Sequence, residues 1–214
     1  MTRILVTAFE PFGGETVNPS QTAVAVLRGL ALPGIELRTL SLPTCFGQSL
    51  ALIERTLDDW PADAVLAVGL AGGRSGLSVE RVAINLDDAR IPDNAGQQPI
   101  DQPVVAGAPA AYFSALPVKA MVAAIRDAGI DAAVSHSAGT FVCNHVFFGL
   151  SHMAATRRAG LRCGFIHIPW APEQAEHHGG PSLDAAGVAR GLAAALMAIE
   201  TGAPEPTVSE GALS

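Results

Sequence analysis

A single cysteine in a glycine-containing turn is the residue of this sequence best suited to nucleophilic chemistry. Cys143 follows Ser-Ala-Gly-Thr-Phe-Val (137–142) and precedes an amphipathic stretch, 144–159, that is predicted to be a helix. Free N–H groups and the dipole at a helix N-terminus favour negative charge, so they would promote the thiolate and hold the oxyanion formed when it attacks a carbonyl. The alternative is a small buried side chain, since free cysteines commonly pack as hydrophobes.

A cysteine nucleophile needs a base and a third group that orients the base. His167 lies in Phe-Ile-His-Ile-Pro (165–169), an apolar run predicted to be a buried strand, close to the strand's carboxyl end. Ligands of open α/β sheets bind at that end. The same pattern also fits a hydrogen-bonded core histidine, and five further histidines, at positions 136, 145, 152, 177 and 178, leave the identity of the base open.

A candidate orienting carboxylate comes from an alternating segment. In residues 79–85 apolar and polar side chains alternate, which predicts a half-buried strand. Glu80 shares its face with Val82 and Ile84, so a carboxylate is placed among large apolar groups. Because a buried carboxylate is costly unless it is paired, Glu80 is expected to have a polar partner such as a histidine. A strand end in solvent is the alternative.

Taken in order, four motifs closely resemble the pyroglutamyl peptidase I family of cysteine peptidases. They are Thr-Ala-Phe-Glu-Pro-Phe-Gly-Gly (7–14) with Asn-Pro-Ser (18–20), the run that starts at Glu-Arg-Val-Ala-Ile-Asn (80–85) and continues to position 96, the cysteine motif (137–145) and Phe-Ile-His-Ile-Pro (165–169). The resemblance extends over residues 4–199. It implies a thiol hydrolase that removes N-terminal pyroglutamate from peptides through a pyroglutamyl thioester on Cys143, with no cofactor and no metal. It also implies a cytoplasmic homo-oligomer, commonly a tetramer.

The resemblance assigns roles to particular residues. The catalytic group would be Cys143 as nucleophile, His167 as general base and Glu80 as the residue that orients the base. The backbone N–H of Cys143 and the side chain of Arg90 would stabilise the oxyanion. The side chain of Asn18 would bond to the lactam amide, and the remaining pocket for the lactam ring would be lined by Phe9, Phe12, Thr44, Ile91, Phe141 and Val142. The chain departs from the family pattern at Leu70, where a glutamine is frequent, and at His136, where an uncharged polar residue is typical.

The chemistry of the implied substrate agrees with these residues. A pyroglutamyl N-terminus has no ammonium group, so its pocket needs no carboxylate. Flat apolar walls and one or two amide-type partners suit such a ring. Two phenylalanines, Phe9 and Phe12, lie three residues apart in one Gly/Pro-rich loop.

Composition limits the classes of partner. The chain has 214 residues, of which 49% are hydrophobic and 15% charged, which is typical of one well-packed domain. A formal net charge of −7 and a single lysine, Lys119, argue against nucleic acid or an anionic membrane as partner. No apolar stretch reaches the ~20 residues of a membrane span. The chain starts in a predicted strand rather than a signal peptide, and its three cysteines lack metal-binding spacing, so a reducing cytoplasm is expected.

Strand-like runs alternate with helical periods along most of the chain. This alternation predicts an α/β fold, a single-domain three-layer α/β/α sandwich with a twisted, mostly parallel sheet. Residues 1–202 are expected to form this domain, and residues 203–214 a disordered tail. Residues 77–86 are predicted to be one strand. The Pro-rich segment 88–109 has little periodicity, so a neighbouring subunit is expected to cover part of it.

Other interpretations have weaker support in the sequence. Ala-Gly-Gly-Arg (71–74) lacks phosphate-binding spacing and is predicted to be a turn near the active site. The pair at 177–178, in a predicted loop, lacks further metal ligands, and the aspartates at 87, 88 and 93 are expected in a solvated loop. A nitrilase-type amidase would need a catalytic lysine, whereas Lys119 lies on a predicted helix. A nucleoside phosphorylase-like or purely binding protein would not need a cysteine and would survive alkylation.

Overall fold

The computed structural model describes residues 1–211 of the chain. Its strands, in chain order, are β1 (Thr2–Phe9), β2 (Ile35–Leu42), β3 (Ala64–Leu70), β4 (Leu77–Glu80), β5 (Val82–Ile84), β6 (Ala111–Phe113), β7 (Ala132–Ser135) and β8 (Arg162–Ile168). Its helices are α1 (Pro19–Leu27), α2 (Gln48–Asp59), α3 (Val118–Asp127), α4 (Val142–Thr156), α5 (Pro172–His178) and α6 (Ala185–Thr201).

Six strands form the central sheet of this part of the chain, in the order β2-β1-β3-β8-β4-β7. The first four strands in this order, β2, β1, β3 and β8, are parallel to one another. Strand β4 pairs antiparallel with β8, and β7 pairs parallel with β4. The predicted, mostly parallel sheet is therefore confirmed. The register of β4 and β8 aligns Ser78 with His167 and Glu80 with Phe165, so the acidic residue and the histidine lie on neighbouring strands.

Helices cover both faces of the sheet, which confirms the predicted three layers. Helices α1, α3 and α6 pack on one face, where the apolar core includes Leu27, Met121 and Leu196. Helices α2 and α4 pack on the other, where the core includes Ile53 and Phe147. All seven residues of β3 are buried, as expected of a central strand covered on both faces.

The prediction of one strand over residues 77–86 is wrong. Strand β4 ends at Glu80, and the N–H of Arg81 makes the last bond to β7 by donating to the carbonyl of Ser135. The chain then leaves the main sheet, and β5 pairs antiparallel with β6 to form a separate two-stranded sheet. This departure leaves Glu80 at the very end of its strand.

Two other regions differ from simple loops. Helix α5 occupies part of the segment predicted to be a loop around His177 and His178, and Pro172 occupies its first turn. The segment 88–109 is held by its own chain, since the Asn85 side chain donates to and accepts from the backbone of Val105. Coverage of this segment by another subunit stays a prediction.

Residues 203–211 have no regular secondary structure and lie along α3. Lys119 Nζ donates to the carbonyl of Val208 at 2.7 Å, and Arg126 pairs with Glu210. Residues 212–214 of the predicted tail lie outside the described residues, and its disorder stays a prediction. Over residues 1–211, none of the helices combines the length and the apolar character needed to cross a membrane.

Candidate active site

Helix α4 and the carboxyl ends of two strands bring the predicted catalytic residues to one place. Cys143 is the second residue of α4, and its backbone follows the extended N-cap residue Phe141. Gly69, near the end of β3, is the register partner of His167 on β8. A Cβ added at Gly69 would lie 2.8 Å from Cys143 Sγ. The sulfur therefore lies against the two strands at the level of His167.

The buried pair of His167 and Glu80 forms the centre of the site. His167 Nδ1 lies 2.7 Å from Glu80 Oε1, and the two residues are 3% and 0% exposed. With Glu80 ionised, the Nδ1–H donates to the carboxylate, which leaves Nε2 unprotonated and able to accept a proton. This is the arrangement that a histidine base and its orienting carboxylate require.

Arg74 also contacts the His167–Glu80 pair, although the sequence analysis predicted only a turn near the active site at this position. Its Nη1 lies 3.0 Å from the same Glu80 Oε1, and its Nη2 donates to the carbonyl of Ser137 at 3.2 Å. The signal in the sequence was indirect: a buried carboxylate needs compensation, and Arg74 is the first cation before it in the chain.

Desolvation is the largest effect on the pKa of the cysteine. The pKa of the Cys143 thiol is raised to about 12 by desolvation and, to a smaller extent, by the charge of Glu80, while Arg74 acts in the opposite direction. Burial also lowers the pKa of His167, against the hydrogen bond and charge of Glu80. Both directions oppose the expected readily ionised thiol, which stays a prediction. They favour a thiol beside a neutral imidazole, in which case the thiol proton would move when the sulfur attacks.

An aromatic row extends from the cysteine turn towards the loop after β1. Phe12 packs on Phe141 with ring centroids 5.9 Å apart, and Phe141 meets the edge of Phe46 at 5.4 Å. Phe46, two residues before α2, was missed by sequence reasoning. Phe9 instead faces the core, where its ring packs on Phe165 at 6.2 Å and only 2% of the residue is exposed. Its predicted contact with a substrate ring stays a prediction.

Asn18 and Thr44 organise the loop that carries Phe12. Both side chains donate to the carbonyl of Glu10, at 3.1 Å and 2.8 Å. Asn18 also caps α1, where its Oδ1 accepts from the N–H and the hydroxyl of Ser20. Asn18 is 1% exposed. Its direct bond to a lactam stays a prediction, and its observed role is to fix the loop.

A second histidine–carboxylate pair supports the wall formed by Phe46. His145 is buried; its Nδ1 lies 2.8 Å from Asp87 Oδ2, and its Nε2 accepts from the N–H of Gly47 at 3.0 Å. Asp93 Oδ2 accepts from the N–H of Phe46. These aspartates are thus engaged in internal bonds rather than lying in a solvated loop. Across residues 1–211 no three metal-ligating side chains cluster together.

The segment that carries the predicted oxyanion residue is tied to the cysteine turn. Asp88 and Thr140 exchange two bonds, because the N–H of Asp88 donates to the Thr140 carbonyl and the Thr140 hydroxyl donates to the Asp88 carbonyl. Arg90 follows two residues later and is exposed. Ile91 is 40% exposed, and Val142 is fully buried at the start of α4. The roles of these three residues stay predictions.

Comparison with known proteins matches the chain to one family. The sequence profile of the pyroglutamyl peptidase family matches residues 2–202. The chain is 56% identical to the pyrrolidone-carboxylate peptidase of Streptomyces coelicolor over 198 residues, which cover 92% of each protein, and 54% identical to that of Klebsiella pneumoniae over 92% of each.

Solved structures of the same kind resemble the fold closely. The chain superposes on pyroglutamyl peptidase I of Bacillus amyloliquefaciens with a TM-score of 0.91 and 44% identity, covering 94% of this chain and 98% of that one. A mutant pyrrolidone carboxyl peptidase of Pyrococcus furiosus gives a TM-score of 0.89 and 38% identity, with 94% and 99% covered.

Proposed function

The chain belongs to the pyroglutamyl peptidase family, and from this membership we infer that it is a cysteine peptidase that removes N-terminal pyroglutamate from peptides. The observation that carries the assignment to a site is the buried His167–Glu80 pair beside Cys143. Within this function we propose that Cys143 is the nucleophile, His167 the general base and Glu80 the residue that orients the base.

The proposed reaction begins with proton transfer. His167 Nε2 takes the thiol proton while Cys143 Sγ attacks the carbonyl carbon of the pyroglutamyl residue. The carbonyl oxygen becomes an oxyanion, for which the backbone N–H of Cys143 and the side chain of Arg90 are the proposed donors. The imidazolium formed on His167 is stabilised by the adjacent carboxylate of Glu80.

Two further steps release the products. The tetrahedral intermediate collapses, the C–N bond breaks, and the imidazolium gives its proton to the departing amine of the peptide. A pyroglutamyl thioester on Cys143 remains. Water, deprotonated by the now neutral His167, attacks the thioester carbonyl, and pyroglutamate leaves as the thiol is restored.

Specificity is proposed to come from an uncharged pocket. Phe12 and Phe141 offer flat apolar surface near the nucleophile, with Thr44 and Ile91 on the adjoining loops. A free glutamyl N-terminus would bring an ammonium group into these surroundings. Because burying an unpaired charge costs several kcal/mol, rejection should exceed roughly 10³-fold.

We further propose that the protein acts as a cytoplasmic homo-oligomer, specifically a tetramer. Ile100 and Phe113 support an interface, since they are 69% and 76% exposed and lie in or next to the Pro-rich segment 88–109. Sedimentation at micromolar concentration should give a species with four times the mass of the chain. A monomer as the sole species would overturn the proposal.

A single assay tests the function. Aminocoumarin derivatives of pyroglutamate, proline and glutamate are compared under identical conditions. We expect the pyroglutamyl derivative to be hydrolysed with a kcat/KM at least about 10³-fold above that of the others. The prolyl derivative keeps the ring but adds a charged amine and lacks the lactam carbonyl. Comparable kcat/KM for the pyroglutamyl and prolyl derivatives would contradict the proposed pocket.

A further inference from the structure

The carboxylate of Glu80 is held in an unusual way. It is fully buried, and its Oε1 accepts hydrogen bonds from both His167 Nδ1, at 2.7 Å, and Arg74 Nη1, at 3.0 Å. Its Oε2 has no hydrogen-bond partner within residues 1–211. Both fixed bonds therefore meet at one oxygen atom, and His167 alone would hold the carboxylate by a single hydrogen bond.

We propose that Arg74 is a positioning residue of the peptidase reaction, whose guanidinium fixes the Glu80 carboxylate in the orientation that holds His167 towards Cys143. The inference rests on the proposed function, because it concerns the same site. Arg74 acts through Glu80 and is not required to touch the substrate.

The position of Arg74 allows it to connect the two halves of the site. One nitrogen binds Glu80 at the end of β4, and the other donates to the Ser137 carbonyl in the turn that leads to Cys143. A planar guanidinium can hold two such acceptors in a fixed relation, which a single ammonium cannot do. Arg74 thereby links the orienter of the base to the turn that delivers the nucleophile.

The loop that carries Arg74 is itself fixed. The N–H of Ala71 donates at 2.9 Å to the carbonyl of Ile168, the last residue of the strand that carries His167. Gly72 packs against the indole of Trp170 so closely that a Cβ there would overlap the ring. The backbone that leads to Arg74 is thus attached to the end of β8.

The charge of Arg74 acts on both reacting groups. It lowers the pKa of Cys143 and that of His167, while Glu80, the other charge acting on this pair, raises both. Without Arg74 both pKa values would rise. Neutral His167 would then be reached only at higher pH, and the thiol would stay protonated to higher pH, so both limbs of the activity profile would move upwards.

A merely structural ion pair would behave differently. The Arg74 side chain is 29% exposed but its partner Glu80 is fully buried, so an Arg74 that served only stability would compensate a buried charge. Removing such a pair would lower the melting temperature and leave the pH limbs in place. The position of the limbs therefore separates positioning from a merely structural role.

The test compares Arg74→Gln, Arg74→Lys and a matched control. The control, Arg157→Gln, makes the same change at an exposed ion pair with Glu54, between α2 and α4. For each variant, kcat and KM are measured on the pyroglutamyl aminocoumarin across the pH range, with the unmodified chain and Cys143→Ser alongside. Circular dichroism melting confirms that each variant is folded.

We expect Arg74→Gln to lose roughly 10–100-fold in kcat, by analogy with residues that orient an active-site ligand. Its KM should change by less than about two-fold, and both pH limbs should move to higher pH. Arg74→Lys keeps the charge but only one contact, so its limbs should stay in place while kcat falls by a smaller factor. Arg157→Gln should match the unmodified chain.

Several results would overturn the proposal. Unchanged kcat in Arg74→Gln, or a loss of kcat that Arg157→Gln shares, would show that Arg74 does not position the reacting groups. If Arg74→Gln does not fold, Arg74→Lys provides the test. A kcat of Arg74→Lys equal to that of the unmodified chain would show that the two contacts of the guanidinium are not needed. The unmodified chain and Cys143→Ser distinguish failure of the proposed function from failure of this proposal. If the proposed function is wrong, the unmodified chain will be inactive on this substrate or Cys143→Ser will retain activity.

Discussion

A methyl group added at Gly69 tests the observed position of the nucleophile. The Cβ of Gly69→Ala would lie 2.8 Å from Cys143 Sγ and 2.9 Å from Phe165 Cζ, at least ~0.6 Å and ~0.5 Å inside ordinary van der Waals contact. Phe165 is 1% exposed and packs between the rings of Phe9 and Phe147, so it has little room to move. The sulfur must therefore yield.

The displacement determines the expected loss. Overpacking of this kind costs about 1–3 kcal/mol, and each kcal/mol lowers the melting temperature of a chain of this size by about 2–4 °C. A shift approaching 1 Å at a reacting atom can cost about 10²-fold in rate. We expect kcat/KM of Gly69→Ala to fall by about 10²-fold while the protein remains folded at room temperature.

A control with equal crowding separates position from stability. In Gly164→Ala the new Cβ would lie 2.7 Å from Leu116 Cδ1 and 2.8 Å from Ser114 Oγ, with none of the proposed catalytic residues among its nearest contacts. It should lose comparable stability and keep kcat/KM within about three-fold, since the sulfur is not displaced. Equal losses of kcat/KM in the two variants, or full activity in Gly69→Ala, would refute the inferred position of Cys143 Sγ.

Three further predictions concern protonation. Glu80→Gln should fold but lose roughly 10²–10⁴ in kcat, measured on the pyroglutamyl aminocoumarin, because an amide neither orients nor charge-stabilises His167 as the carboxylate does; turnover within about two-fold of the unmodified chain would contradict this. Because burial raises the pKa of the Cys143 thiol to about 12, iodoacetamide labelling of this residue should keep rising about tenfold per pH unit past pH 9, and a plateau near neutral pH would instead indicate a thiolate–imidazolium pair. Burial raises the pKa of Cys163 to about 11, so the unfolded chain loses this proton first and stability falls as pH rises. The urea unfolding free energy should drop by about 1 kcal/mol more between about pH 8 and about pH 10 than in Cys163→Ser, and equal pH slopes would refute it.

The features of the fold and site that could be predicted from the sequence depend on local patterns of side chains. The periodicity of 79–85 predicted a buried Glu80, and the structure buries it completely, but not on the predicted face. All four residues of β4 are buried, whereas Val82 and Ile84 lie half-buried on the separate strand β5. Alternation of strands and helices gave the sandwich and its mostly parallel sheet, because helices and strands differ in the period of their apolar side chains.

The parts that sequence missed depend on contacts between distant segments. His167 and Glu80 are 87 residues apart, and His145 and Asp87 are 58 apart, so each pair follows from strand order and helix packing rather than from spacing. Arg74 lies near Glu80 in sequence, yet its contact depends on where the chain leaves the sheet after β4.

The protonation of the cysteine shows the same limit. A helix N-terminus is visible in the sequence and favours a thiolate. Desolvation by β3, β8 and the rest of the site is not visible, and it dominates the pKa of Cys143. The largest effect on this pKa comes from the packed structure.

The central claim is that Cys143 is the nucleophile that releases pyroglutamate. The most direct measurement is kcat/KM of Cys143→Ser on the pyroglutamyl aminocoumarin, with Cys45→Ser and Cys163→Ser as matched controls. A serine alcohol is a far weaker nucleophile than a thiol at this position, so a loss of at least about 10³-fold is expected, while both controls remain active. A Cys143→Ser variant that keeps more than about one tenth of the kcat/KM of the unmodified chain would contradict the account.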